Sequence, residues 1–497
     1  MMRSMYSGIA GLKAHQTKMD VIGNNIANVN TAGFKASNVV FSDVYYQTMQ
    51  NATGADPTTG TAGQNAKQIG IGSKVSSIAA NMTTQGGAQA TDNAMDLMLS
   101  GDSFFIVNRG GTNYFTKAGA FNVDAAGNLC TASGDLVMGW DTDENGEVIQ
   151  SQVKALDVMA PENLYSQPAP TTKAYLSGNI DATDTQLTGE GVPYTVSFYD
   201  NLGYSYTAVF SVKQKLDTKG NPLSGQYSAT LTNILDADSK SILVTETVDA
   251  NTKQSSYALN TNLTPQLTNS GHTTSGTIDA TNGVDKATGE ILKSGISIDL
   301  AFDPSSGKFK AVGGVEDTAA EDYGLAILKI TGTDATEFPT DGIKIDFSSL
   351  TQYSTSGTSS VTSTRGDKLT GEGAGTAFGN MKGLSIDAAG LIYGRYDNGT
   401  KKCLGQIAVT DFANPAGLEA IGGSLFAETQ NSGEFDGIGK AVTNGGGSMS
   451  SGYLEMSNVD LSTEFTNMIT TQRGFQANSR IITTSDTLLE ELVNLKR

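Results

Sequence analysis

Imidazole and thiol are scarce in this chain, and that scarcity limits the chemistry open to it. Its 497 residues include two histidines and two cysteines. His15 lies in an N-terminal helical pattern, and His272 lies in the loop-like run Asn269-Ser270-Gly271-His272-Thr273. A His/Cys metal site needs three or four ligands, and a nucleophile triad needs a histidine beside a nucleophile and a carboxylate. Neither pattern occurs, so His15 reads as a helix-face residue and His272 as a loop residue. Cys130 and Cys403 form no CxxC pair and read as small hydrophobes, with a Cys130–Cys403 bridge or another crosslink as the alternative. The run Asp141-Thr142-Asp143-Glu144-Asn145-Gly146-Glu147 imitates the start of a calcium loop. Its twelfth position is Gln152, where a bidentate Glu belongs, so a solvated turn is expected. No phosphate-binding glycine loop occurs. Among 51 acidic residues, a chance carboxylate pair carries no glycosidase signal. The expectation is a protein without catalytic residues, cofactor or metal.

Composition points the same way. Lys plus Arg is 32, and the formal charge is −19. A polyanion repels phosphate backbones, so no nucleic-acid partner is expected. Gly is 58 and Pro only 10, which suits many tight β-turns better than a Pro-rich linker. Apolar content of 38% is low for a compact enzyme, though too evenly spread for disorder. No stretch of about 18 apolar residues is present, so no membrane insertion is expected. The start, Met1-Met2-Arg3-Ser4-Met5-Tyr6, lacks a charged segment followed by an apolar core, so no cleavable signal peptide is expected.

The elements that organise the chain lie at its ends. Leu461, Phe465, Met468, Gln472, Phe475, Ser479, Ile482, Asp486, Leu489 and Val493 follow steps of four and three, a heptad seam with polar interruptions. Ser457-Asn458-Val459-Asp460 reads as a capping box ahead of it, and Lys496 and Arg497 complement the negative helix end. Met5, Ile9, Leu12, Gln16, Met19, Gly23 and Ile26 repeat the pattern at the N-terminus, and Asn30, Thr31 and Gly33 stop it. Each buried Leu, Ile, Phe or Met is worth roughly 1.5–3 kcal/mol, so an unaccompanied stripe demands a partner. That partner is either the other terminal helix or further copies of the chain.

Between the ends the chain reads as strands and turns. Residues 34–75 form a polar connector with little periodicity. Residues 76–156 and 376–456 are β-rich, with Ser103–Val107, Tyr114–Thr116, Ala120–Val123, Leu384–Ile386, Leu391–Tyr393 and Gln406–Val409 as strands. They suit one split β domain interrupted by a β-rich insert at 157–375. Val192–Tyr199 and Tyr206–Phe210 read as a hairpin about Asp200-Asn201-Leu202-Gly203, and the insert has room for one domain or two. The fold class expected is multidomain α+β.

Two long motifs carry a resemblance. Ser7-Gly8-Ile9-Ala10-Gly11-Leu12-Lys13-Ala14 followed by Asp20-Val21-Ile22-Gly23-Asn24-Asn25-Ile26-Ala27-Asn28-Val29-Asn30-Thr31-Ala32-Gly33-Phe34-Lys35 resembles the N-terminal signature of bacterial flagellar rod and hook axial proteins. Ser457-Asn458-Val459-Asp460-Leu461, Met468-Ile469, Gln472-Arg473-Gly474-Phe475-Gln476-Ala477-Asn478 and Asn494-Leu495 resemble their C-terminal signature. Within that family, the stretch from Gly405 to Leu418 is similar to the distal D1 segment of hook subunits, and Val196–Gly203 to their D2 hairpin.

The resemblance implies a structural, non-enzymatic subunit of a tubular helical homopolymer, a universal joint carrying torque from rod to filament. It implies a terminal-helix coiled coil D0 (1–33 and 457–497), an all-β D1 (76–156 and 376–456), and outer all-β D2 (157–375) with a D3 as an option. The implied partners are copies of itself, the rod, hook cap and hook–filament junction proteins, and the flagellar type III export apparatus. The implied location is the extracellular flagellar hook. Other axial proteins, such as a distal-rod-like or junction subunit, share these ends. A secreted β-rich enzyme or adhesin is the remote alternative.

Overall fold

The computed structural model describes residues 2–54, 60, 62–143, 146–248, 255–269, 272–273, 284–285, 291, 295–314 and 324–495. The expectations placed on Lys496, Arg497, and Glu144 and Asn145 of the acidic turn fall outside these residues. So does the side chain of His272.

The chain divides into two compact units. The first comprises residues 1–164, 382–395 and 401–497, and the second residues 165–381 and 396–400.

In the first unit, both termini are helical: α1 runs Met2–Ala27 and α2 runs Leu461–Asn494. At 34 residues, α2 is about 51 Å long. Its cap differs from the expected box. Asp460 is the N-cap and accepts from Ser462 N at 2.9 Å and Thr463 Oγ1 at 2.7 Å, while Ser457 Oγ accepts from Val459 N. The Asp carboxylate is the stronger acceptor at the positive helix end, so the helix starts directly after it.

The expected connector is ordered as strands. β1 (Ser37–Asp43) pairs antiparallel with β4 (Ser73–Ala80), and β2 (Tyr46–Gln50) pairs with β3 (Lys67–Gly70). Their polar composition hid them, because their surfaces are mostly exposed and only β1, through Val39 and Phe41, turns apolar side chains inward.

The unit's main sheet orders Leu391–Tyr396, Lys401–Ile407, Leu136–Asp141, Phe104–Arg109, Thr112–Thr116, Leu425–Ala427 and Glu419–Gly422 as neighbours. Phe104–Val107 is buried on both faces. Phe105 and Val107 join a core with Leu97, Phe121 and Ile407, while Phe104 and Ile106 join one with Phe115, Trp140 and Phe412. Successive strand residues point to opposite faces, which explains its unbroken apolar run. Strands before and after the second unit in sequence pair here, as Gly139–Asp141 with Gly405–Ile407. Cys130 and Cys403 are free thiols.

The second unit spans Tyr165–Met381 with Tyr396–Thr400. It holds a six-stranded and a five-stranded sheet. Side chains of both, including Leu176, Ile345, Val196, Phe210 and Ile298, share one core. Val192, Tyr194, Val196 and Phe198 are buried in alternation and form the hairpin partner of Ser205–Leu216.

Candidate assembly site

The two terminal helices lie antiparallel, and their contacts run in opposite chain order. Ser4 faces Ser485 across 3.5 Å, Gly8 faces Ile482, Gly11 faces Asn478, His15 faces Gly474, and Asn25 bonds to Glu464. Small residues set this crossing. A Cβ on Gly11 would stand 2.5 Å from Asn478 Nδ2, and one on Gly474 would stand 2.7 Å from the His15 ring. Interaxial distance follows the size of contact side chains, so the glycines draw the helices close.

This changes the expected seam. On α1 the buried positions are Gly8, Gly11, Ala14, Ile22 and Asn25. Met5, Leu12, Met19 and Ile26 are half-buried, and Ile9 is exposed. On α2 the paired stripe is Met468, Thr471, Phe475, Asn478, Ile482, Ser485 and Leu489, with Thr471 and Ser485 fully buried. Leu461, Phe465 and Val493 are exposed at 38%, 50% and 65%. Ile469, Ile481, Leu488, Leu492 and Leu495 are exposed as well. Counting apolar residues at heptad spacing picked a stripe partly turned away from α1, because the close contact is made by Gly, Ala and Thr. Continuing the register, α2 projects about two turns past the start of α1, over Leu488–Leu495.

A clasp of side chains ties the base of this pair to the neighbouring strands. Asn25 is buried; its Nδ2 donates to Ser37 O at 2.9 Å and Glu464 Oε1 at 3.0 Å, and its Oδ1 accepts from Ser37 N at 3.0 Å. Asn458 Oδ1 accepts from Ala36 N at 2.7 Å, and its Nδ2 donates to Asn81 O and Thr84 O. Lys35 Nζ donates to Thr84 O at 2.9 Å and forms an ion pair with Glu455 Oε1 at 2.8 Å, both side chains almost wholly buried. Gly86 N gives Glu455 a further hydrogen bond at 2.9 Å.

Gly33 donates to Glu455 O and adopts φ 68°, where a Cβ would stand 2.6 Å from Ala118 N, so glycine is required on both counts. Behind it, the buried Lys117 ammonium lies 4.7 Å over the Phe104 ring and donates to Gly101 O at 2.8 Å. Burial, and then the neighbouring Lys35 charge, push Lys117 down to about 8.

The quoted motif residues thus separate into two groups. Asn25, Gly33, Phe34, Lys35 and Asn458 meet in the clasp, Asp460 caps α2, and Asn478 fills the helix crossing. Gly23, Asn24, Ala27, Gln472 and Arg473 are exposed in the single chain, and Asn28 is half-buried against Asn24. Sequence reading missed Glu455, Thr84 and Glu464. Glu455 and Glu464 find partners more than 400 residues away and Thr84 finds Lys35 49 residues away, so no local spacing signals them. Among the described residues, no group of three or more His, Cys, Asp or Glu is placed to hold a metal ion, and no helix is long and apolar enough to cross a membrane.

Helices paired from opposite chain ends are clasped to a split β domain, and family models match segments of this arrangement. They are "Flagella basal body rod protein" over residues 5–35, "Flagellar hook protein FlgE/F/G D1 domain" over 98–167 and "Flagellar basal body rod FlgEFG protein C-terminal" over 450–495. The flagellar hook protein FlgE of Borreliella burgdorferi is 36% identical and that of Treponema pallidum 34%, each alignment covering all of both chains. The flagellar basal-body rod protein FlgG of Bacillus subtilis is 27% identical, also over both full lengths. The crystal structure of Helicobacter pylori flagellar hook protein FlgE2 is 15% identical, covering 74% of this chain and 100% of that one, with a TM-score of 0.35. The chain belongs to the flagellar hook protein family and is a structural subunit of the hook.

Proposed function

We propose that copies of this chain polymerise into a flexible helical tube, the universal joint through which the rod turns the filament. The observation that carries this reading is the apolar surface of α2. Leu461, Phe465, Ile469, Ile481, Leu488, Leu492, Val493 and Leu495 are exposed in the single chain. At roughly 1.5–3 kcal/mol for each large side chain buried, that surface drives stacking with neighbouring copies. A head-to-tail contact that does not close gives a helical polymer.

In this reading D0 (1–33 and 457–497) forms the inner layer, D1 (76–156 and 376–456) the middle, and the insert at 157–375 the outside, with 34–75 between D0 and D1. The partners are further copies, the rod, hook cap and hook–filament junction proteins, and the flagellar type III export apparatus. The location is the extracellular hook. The role is mechanical, with no enzymatic step.

The test compares the full chain with a form lacking 461–497. Sedimentation and negative-stain microscopy should find tubes only for the full chain. Tubes from the shortened form would overturn the proposal.

A further inference from the structure

We propose that His15 is a proton-operated latch: neutral, it holds α1, α2 and β1 together, and protonated, it releases them. The inference rests on the reading of the terminal helix pair as the assembly element.

Three elements meet at this ring. It lies against Gly474 of α2, so closely that a Cβ there would stand 2.7 Å from its Cε1 and Nε2. It forms a T-shaped pair with Phe41 of β1, with centroids 5.9 Å apart and planes at 74°. Nδ1 is buried and has no hydrogen-bond partner among the described residues. Lys18, one turn further along α1, places Nζ 5.8 Å from the centroid of the same Phe41 ring.

An imidazolium donates from both nitrogens. Protonated His15 would therefore carry a buried Nδ1–H with no acceptor, a desolvated donor that costs folding free energy. It would also bring a second cation to a ring that Lys18 already approaches.

The charged groups around the ring offer no relief. Lys18 lies on its own helix, Lys74 is on β4 opposite Ser42, and Arg473 adjoins Gly474 on α2. The acid on β1 is Asp43, two residues beyond Phe41 and exposed. Burial first, and then Lys18, hold His15 below its ordinary 6.5.

The sign follows. With the folded value below the unfolded one, the unfolded chain binds more protons across that window. The contribution is complete above 6.5 and is lost as the pH falls through that value and then through the folded one. No other described imidazole adjoins either terminal helix, so mild acid acts on the pair chiefly through this side chain.

The test uses the full chain, as wild type, His15→Phe and His15→Gln. Polymer formed at pH 7.5 is brought to a series of pH values down to 4.5, and the pelletable fraction is measured. Helix content is followed by circular dichroism in parallel on the soluble chain. The latch predicts that wild type loses polymer and helix as the pH falls below 6.5. Both variants should hold them to a measurably lower pH midpoint. Phenylalanine keeps the packing, and glutamine guards against misfolding of that variant. Coincident acid midpoints for wild type and either folded variant would overturn the latch. If no chain forms tubes at pH 7.5, the assembly reading fails, and the circular dichroism midpoints still decide the latch by the same comparison.

Discussion

Replacing Lys35 by methionine removes one half of the clasp's ion pair while keeping the length and apolar stem of the side chain. Glu455 then stays buried without its ion-pair partner, holding only the Gly86 N–H and the more distant Lys117 charge. Removing one partner of a buried pair costs about 3–5 kcal/mol, because the stranded charge has lost both water and its counterion. A domain is stable by only about 5–15 kcal/mol, so the first unit should come close to its limit. The single tryptophan, Trp140, is buried in that unit, and its fluorescence reports the unit's unfolding without the second unit's signal. With a urea slope of about 2 kcal/mol per molar, the midpoint should fall by about 1.5–2.5 M. The double variant Lys35→Met with Glu455→Leu should recover about half of the loss. It leaves only the Gly86 N–H without its acceptor, a cost of about 1–3 kcal/mol. A Lys35→Met midpoint within about 0.3 M of wild type would refute the claim that the ion pair anchors the two chain ends.

Three other perturbations address different links. Gly11→Leu forces a side chain into the space of Asn478, so α1 and α2 should separate and polymer be lost in a pelleting assay, while Trp140 unfolding stays unchanged. Leu488→Asp combined with Leu492→Asp alters side chains already exposed in the single chain, so urea stability should move by less than about 0.5 kcal/mol while sedimentable polymer falls at least about tenfold. Lys117 titrates at about 8 when folded against an ordinary 10.5, so the unfolded chain binds more protons between those values and stability should rise with pH across them. Lys117→Met should lack that rise when Trp140 is followed by urea titration at pH 8 and pH 10; an identical rise in both would place its origin elsewhere.

The parts of the fold legible in the sequence are those where burial follows a period. Phe104–Val107, Val192–Phe198 and Leu391–Tyr393 alternate or run apolar, and they are strands. The terminal helices announced themselves by apolar spacing, but their contact face did not. Gly8, Gly11, Thr471 and Gly474 make the close approach, and small residues carry no hydrophobic signal. Phe465 and Val493 carried that signal and are exposed. The strands β2–β4 were hidden by polar surfaces such as Ser73-Lys74 and Gln47-Thr48, where backbone pairing chiefly defines the element. The clasp was half legible: Lys35 and Asn458 stood out through the motifs, whereas Glu455 became significant only once folding brought it across 420 residues to Lys35.

The central claim is that the terminal helices pair within one chain through small residues and leave the apolar surface of α2 for neighbouring copies. Electron cryomicroscopy of tubes assembled from the full chain tests it most directly. The account predicts α1 and α2 crossing at Gly11 and Asn478 within each subunit, with Phe465, Leu488 and Leu492 buried against adjacent subunits. Density that leaves those three side chains facing solvent, or helices that separate to pair with other chains, would contradict it.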